Sequence, residues 1–363
     1  MKLTPSSLVL ILINLNLRFR NKIKATEPFA GVPELVGQKS NRNSLIKINE
    51  NQLELDAVLH DLEQNEIWLI FPEEKLITRF YRPDSNSNTI LLTERCDQQC
   101  IMCSQPPKSK DYLYFDLYRD ALKLVSTPNV FGISGGEPTL YLEELLEFVR
   151  DVSQFNSNIK FHILSNAQHF TSDSVKLLKE LREVILWAVP IYGSTPEIHD
   201  YIVQKEGAFG TLIGNLNFLF DAGARLEIRT VVLQQNLANF IHLSKLIGQH
   251  FRWIEFWSIM QIERFGFARK NYEKKFVDTS IDFVPISGAI SLCQALNVPV
   301  YLYNFPLCTV PNDFKELSIN SISDWKKKYM PICELCTIRE NCTGFFEWYR
   351  EEDGFKNLRP TLI

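Results

Sequence analysis

The sequence predicts an α/β protein: a partial (β/α)6 TIM-like barrel between an N-terminal β-rich region and a cysteine-bearing C-terminal module. Three observations carry this reading. From Thr89 onward, short apolar runs rich in β-branched residues alternate with segments of helical spacing. The alternation weakens after Phe265. Six of the eight cysteines fall into two tight groups, one directly after the first apolar run and one near the C-terminal end of the sequence.

Residues 1–85 form the first region. Its apolar run at 8–12 follows Lys2, but Asn14, Asn16, Arg18 and Arg20 interrupt where a secretory signal needs a small-residue cleavage site. The run is too short to span a bilayer, so 8–16 reads as a buried strand. A loop rich in Asn, Ser and Lys is expected around 37–44, with strands at 45–48 and at Glu66–Phe71. The stretch 82–88 (RPDSNSN) has turn and linker chemistry.

The barrel strands are expected at Thr89–Thr93, 130–134, 160–164, 184–191, 226–233 and 253–259. Helical spacing marks 118–125, 140–149, 172–181 and 211–220, with Ser172 and Asp173 as caps of the third. Strands separated by helices imply parallel βαβ units with right-handed crossovers. In such a barrel the active face lies at the strand C-termini. The expected division is therefore 1–85, a core domain over 86–285 and a C-terminal module over 286–363.

Apolar residues make up 45% and charged residues 23% of the 363, and 25 Phe argue for a thick packed core. With a net charge of −4 and no basic tract, the composition excludes a nucleic-acid binder. No segment suits a membrane partner, and the expected location is cytoplasmic. In a chain of this kind, clustered cysteines bind metal more often than they form disulfides.

The first group is Cys96, Cys100 and Cys103, spaced C-x3-C-x2-C. Three thiolates hold three irons of a four-iron cubane and leave the fourth open, a Lewis-acidic position that an amino acid's amine and carboxylate can chelate. Zinc sites pair two close cysteines with two distant ligands, which is a different spacing. Gly135-Gly136-Glu137 ends the second strand, where glycines allow close backbone approach to a ligand and a carboxylate can accept from an ammonium group. The bland alternative is a strand-to-helix turn with a capping acid. Ser165-Asn166 closes the third strand and Arg229 lies in the fifth; their alternatives are an ordinary turn and a barrel-interior arginine. His162, His169 and His199 fall near the same face and receive no role.

These motifs together resemble the radical S-adenosylmethionine (SAM) superfamily. The resemblance implies a [4Fe–4S] cluster on Cys96, Cys100 and Cys103, with SAM chelating the open iron. It implies that Gly135, Gly136 and Glu137 meet the methionine amine, that Ser165 and Asn166 face the ribose or carboxylate, and that Arg229 pairs with the carboxylate. Met102 stands where the family usually has an aromatic residue near the adenine.

The second group, Cys333, Cys336 and Cys342, follows a helix-like stretch around Trp325 and resembles the SPASM/twitch-like auxiliary-cluster modules of peptide-modifying radical SAM enzymes. Phe346 stands where those modules often place a further cysteine, so one auxiliary [4Fe–4S] cluster is expected, with Cys308 as its fourth ligand. The same four cysteines would equally make a closed tetrahedral zinc site. Cys293, in the apolar stretch 290–296, reads as a buried thiol.

The resemblance extends to one subfamily. Cys100-Ile-Met-Cys103-Ser-Gln-Pro-Pro-Lys108, Gly266-Phe-Ala-Arg269, Tyr303-Asn304, Ser321-Ile-Ser-Asp-Trp-Lys326 and the last cysteine group are similar to the C-type radical SAM maturase of the His-Xaa-Ser system. This implies an oxidoreductase that cleaves SAM to a 5′-deoxyadenosyl radical and modifies a small partner peptide or protein, fed by a reductant such as flavodoxin or ferredoxin. The rival readings are a radical SAM enzyme acting on a small molecule and a non-enzymatic iron–sulfur electron carrier. The carrier needs neither an open iron nor a Gly-Gly-Glu turn.

Overall fold

A computed structural model describes residues 9–13, 23–25, 35–39, 44–48, 51–55, 66–71 and 76–362. Among the described residues seven strands precede the alternating part: β1 (Val9–Ile13), β2 (Ile23–Ala25), β3 (Leu35–Lys39), β4 (Ser44–Ile48), β5 (Asn51–Leu55), β6 (Glu66–Phe71) and β7 (Leu76–Tyr81). They pair antiparallel in two sheets, of order β1-β6-β7 and β2-β5-β4-β3. The strand expected over 8–16 is β1; its flanks and its burial lie outside the described residues. The loop expected around 37–44 is corrected in part. Gly37 to Lys39 belong to β3 and Ser44 to β4, paired in register Gly37↔Ile46 and Lys39↔Ser44, while 40–43 lie outside the described residues. Polar composition does not forbid a strand when a neighbouring backbone satisfies its hydrogen bonds.

The turn at 82–88 is stapled by one side chain. Asn88 Oδ1 accepts from Arg82 N at 2.9 Å, and Asn88 Nδ2 donates to the carbonyls of Arg82 and Ser85 at 2.9 and 3.0 Å. Asn and Ser in such turns substitute side-chain for backbone bonds.

Eight strands follow in one sheet whose spatial order is the chain order: β8 (Thr89–Thr93), β9 (Asn129–Gly135), β10 (Ile159–Leu164), β11 (Ile185–Pro190), β12 (Arg225–Val231), β13 (Phe256–Met260), β14 (Val300–Tyr303) and β15 (Ser318–Ile319). From β10 to β15 each neighbouring pair is parallel. This is the partial TIM-like barrel, with its first six strands where the alternation of apolar runs puts them. β14 and β15 extend it within residues 286–363; at four and two residues they are too short for periodicity to reveal.

Among the described residues seven α-helices accompany the sheet: α1 (Phe115–Lys123), α2 (Leu142–Phe155), α3 (Val175–Glu180), α4 (Pro196–Val203), α5 (Ala208–Asp221), α6 (Phe240–His250) and α7 (Val284–Ala295). The spacing expected α1, α2, α3 and α5. The expected caps Ser172 and Asp173 give way to Thr171, which is extended (φ −134°, ψ 163°) and forms a capping box with Ser174 across a 3-10 turn. Among the described residues no helix is long and apolar enough to cross a membrane.

Alternation along the strands separates two faces. Phe161, Ile163, Trp187, Val189, Ile228, Trp257 and Ile259 point one way and are buried. His162, Glu227, Arg229, Ser258, Met260 and Tyr303 point the other way, into the barrel. The backbone divides into two compact units. One comprises Met1–Ile90, Leu113–Gly132 and Glu147–Lys160; the other, Leu91–Tyr112, Ile133–Leu146 and Phe161–Ile363, carries every candidate site residue.

Candidate functional site

The first cysteine group lies in the loop that leaves β8. Its backbone is tied down along its length. Glu94 N donates to Lys110 O at 2.8 Å, and Gln99 N and Ile101 N donate to the carbonyls of Val203 and Ile202 at 3.1 and 2.9 Å. The last two bonds satisfy carbonyls at the C-terminal end of α4, which lack helical partners. Cys103 O accepts from Phe267 N at 2.8 Å.

Cys96, Cys100 and Cys103 are half-buried and within electrostatic reach of one another. Burial pushes the Cys96 thiol up to about 12 and raises Cys100 and Cys103 as well. They are therefore protonated at neutral pH, and a bound metal would displace the protons. Among the described residues no three His, Cys, Asp or Glu side chains converge on a single-ion position. A cubane takes one thiolate per iron, so its ligands surround a cluster rather than a point. Three thiols in one pinned loop fit such a group.

The Gly135-Gly136 turn packs against this loop. Gly136 N and Glu137 N donate to the carbonyls of Thr93 and Arg95, both at 2.7 Å. Gly135 has φ +128°, and a Cβ at either glycine would collide with main-chain oxygen, of Thr93 for Gly135 and of Arg95 for Gly136. The close approach that the glycines allow is thus made by the cysteine loop itself.

Glu137 is fully buried and well engaged. Its Oε1 accepts from Thr139 N (2.9 Å), Thr139 Oγ1 (2.5 Å) and Ser165 Oγ (2.8 Å), and its Oε2 accepts from Asn166 N (2.6 Å). The capping acid of the bland reading is present, because Glu137 caps the 3-10 turn Pro138–Tyr141. Burial raises its pKa, outweighing the hydrogen bonds that favour the carboxylate. Each carboxylate oxygen offers about two acceptor positions, and Oε2, with one donor, retains one. Ser165 and Asn166 lie at the end of β10 as expected. Ser165 Oγ also accepts from Ala167 N at 3.0 Å, while Asn166 Nδ2 donates to Asp97 Oδ1 at 2.7 Å and lies 4.0 Å from Cys96 Sγ.

Inside the barrel Arg229 contacts only soft or distant acceptors. Its Nε and Nη2 face the Met260 sulfur at 3.4 and 3.2 Å, and Nε lies 3.6 Å from Glu227 Oε1. Glu227 is fully buried, with His162 Nε2 at 2.6 Å from Oε2. Burial disfavours its charge, but Arg229 and His162 outweigh that and lower its pKa. Among the described residues Glu227 Oε1 and Ser258 Oγ have no hydrogen-bond partner. Strand period places Glu227 on the inner face, but a lone acidic residue carries no motif that marks it in the sequence.

His199 is part of α4. Burial lowers its pKa to about 4, and its Nδ1 accepts from Tyr192 N at 3.2 Å. That bond requires the neutral ring, a structural role. Met102 is buried in an apolar cluster with Tyr192, Leu233 and Ala268.

The second group gathers after β14. Cys308 occupies the 3-10 turn Leu307–Thr309, Cys333 the turn Pro331–Leu335, and Cys342 follows the turn Arg339–Asn341. Cys342 Sγ accepts from Leu307 N at 3.3 Å and Gly344 N at 3.4 Å. Burial, with Cys342, Cys333 and Cys336 nearby, pushes Cys308 up to about 12. Cys293 stands apart on α7, fully buried, its thiol 3.9 Å from Ser244 O. The helix-like stretch around Trp325 is corrected to a single 3-10 turn, Asp324–Lys326, between the two-residue strands Ser318–Ile319 and Lys327–Lys328.

Comparison with known proteins places this site in a family context. The radical SAM superfamily model matches residues 90–247. A cysteine-type anaerobic sulfatase-maturating enzyme of Clostridium novyi is 28% identical over 134 residues, 35% of this chain and 35% of that protein. GTP 3′,8-cyclase of Aquifex aeolicus is 22% identical over 230 residues, 55% of this chain and 70% of that protein. The chain thus spans about a third of the first relative. The crystal structure of Streptococcus suis SuiB bound to S-adenosylmethionine aligns at a TM-score of 0.47 and 17% identity, over 59% of this chain and 49% of that one.

Proposed function

We propose that this protein is a radical SAM enzyme whose Cys96, Cys100 and Cys103 hold a [4Fe–4S] cluster and whose substrate is a small partner peptide or protein. The observation that carries the reading is the loop of three half-buried thiols, pinned beside the ends of β9 and β10 within the segment that matches the superfamily. Bound there, the cluster and SAM would supply radical chemistry for hydrogen-atom abstraction from the substrate.

The chain's own residues bind and orient. Glu137 offers its remaining Oε2 position to the SAM amine, and Gly135 and Gly136 bring that carboxylate against the cysteine loop. Ser165 and Asn166 fix Glu137 and border the ribose or carboxylate side. The Arg229 guanidinium hydrogen-bonds the Met260 sulfur, a weak acceptor, and lies 3.6 Å from Glu227 Oε1, so a SAM carboxylate is a better hydrogen-bond partner for it than the sulfur. Cys308, Cys333, Cys336 and Cys342 hold an auxiliary [4Fe–4S] cluster, and a flavodoxin or ferredoxin supplies electrons.

The name of the sulfatase-maturating relative supports a protein or peptide substrate, and the motifs quoted above favour C-type maturation in the His-Xaa-Ser system. A small-molecule substrate is the second reading, favoured by the broader overlap with the GTP cyclase. Anaerobic reconstitution is expected to load about eight irons per chain without zinc, falling to about four when Cys96, Cys100 and Cys103 all become Ala. With dithionite and SAM the loaded protein should release 5′-deoxyadenosine. Incubation with a His-Xaa-Ser peptide encoded beside it should give a mass change in the peptide. One zinc with four irons would overturn the auxiliary cluster, an unchanged peptide with turnover of GTP would favour the second reading, and absence of 5′-deoxyadenosine would overturn the enzyme.

A further inference from the structure

The cysteine loop carries a charged side chain that the proposed reaction does not use. Asp97 directly follows Cys96. Its Oδ1 accepts from Asn166 Nδ2 at 2.7 Å, and its Oδ2 pairs with the Lys205 ammonium and lies 3.3 Å from His169 Nε2.

The partners come from two different segments. Asn166 and His169 follow β10, and Asn166 N is also bound to Glu137. Lys205 follows Gln204, the left-handed residue (φ +56°) that ends α4. This same helix end receives Gln99 N and Ile101 N from the cysteine loop. The geometry therefore sets Lys205 and the loop against each other twice, through main-chain bonds and through the ion pair. Asp97 is about one-fifth and Lys205 about one-third exposed, so water screens the pair incompletely.

We infer that Asp97 and Lys205 form a charge-balanced pair that sets the reduction potential of the cluster on Cys96, Cys100 and Cys103, with Asn166 and His169 as positioning residues for the carboxylate; this rests on the cluster reading above. Reduction adds one electron to the cluster, supplied by dithionite, which is itself oxidised; no bond to the protein forms or breaks. A carboxylate beside a ligating cysteine disfavours the added negative charge, and an ammonium favours it. Together they nearly cancel. Removal of either uncovers the other, so the two deletions act with opposite sign. A pair that only braced the loop would give no such antisymmetry.

The test is a mediated redox titration of the anaerobically reconstituted full chain, followed by the electron paramagnetic resonance of the reduced cluster. Lys205→Gln is expected to shift the midpoint potential downward and Asp97→Asn upward, with the double variant returning close to the unmodified value. Lys205→Arg keeps the charge and should keep the potential. Should Lys205→Gln fail to take up iron, Asp97→Asn must alone shift the potential upward. Unchanged midpoints in iron-loaded variants, or shifts of one sign in both, would overturn the inference. Failure of the unmodified chain to load a reducible cluster would overturn the cluster reading instead.

Discussion

At the residue scale, Glu137 shows how one buried side chain can do two jobs. Four donors converge on it, two of them main-chain N–H groups from Thr139 and Asn166. A buried donor stripped of its acceptor costs on the order of 1–3 kcal/mol. Glu137→Ala is therefore expected to lower stability by about 2–4 kcal/mol, read as a lower urea midpoint. It should also weaken SAM binding beyond what Glu137→Gln does, since Gln keeps an acceptor but not the charge. Equal SAM affinity in all three proteins would leave Glu137 a bracing role alone.

At the element scale, α4 couples stability to pH. Its start follows from Pro196 at the first helical position after extended Thr195, and its end from the left-handed Gln204. His199, within it, is held neutral with a pKa of about 4 against an ordinary 6.5. The folded value is depressed, so between those two pH values the unfolded chain binds the proton first. The stabilisation is complete above about 6.5 and is lost as pH falls toward 4. Its full size is about 3 kcal/mol, since His199 is almost wholly buried. Urea midpoints of the unmodified protein should fall across this range, and His199→Asn should flatten the dependence. An unaltered slope in the variant would assign the acid sensitivity elsewhere. Because the end of α4 binds the cysteine loop, acid should also slow iron loading.

At the scale of the whole molecule, the two cysteine groups define the proposed division of labour. Cys308 sits in the connection between β14 and β15 of the same sheet, and the neighbouring Leu307 N bonds Cys342 Sγ. Cys308→Ala removes a thiol without removing that backbone bond. SAM cleavage without substrate should survive in this variant, while modification of the partner peptide falls steeply. Loss of both in soluble protein that keeps the first cluster would mean that the modules over 86–285 and 286–363 do not act separately. Retention of both would remove Cys308 from the ligands.

The sequence by itself determined the repeating strand–helix order from Thr89 to Met260, because apolar period and β-branched runs are local properties of the chain. It also determined both cysteine groups, because the spacing of cysteines close in sequence is local, and it set Cys293 apart by its apolar surroundings. Tertiary structure alone decided what surrounds them. Asp97 meets Lys205 across 108 residues and Asn166 across 69, and no periodicity spans such distances. The same holds for Glu227, whose partner His162 lies 65 residues earlier on another strand. Short elements such as β14, β15 and the left-handed end of α4 owe their conformation to the partners they meet, since two to four residues carry too little periodic signal to specify themselves.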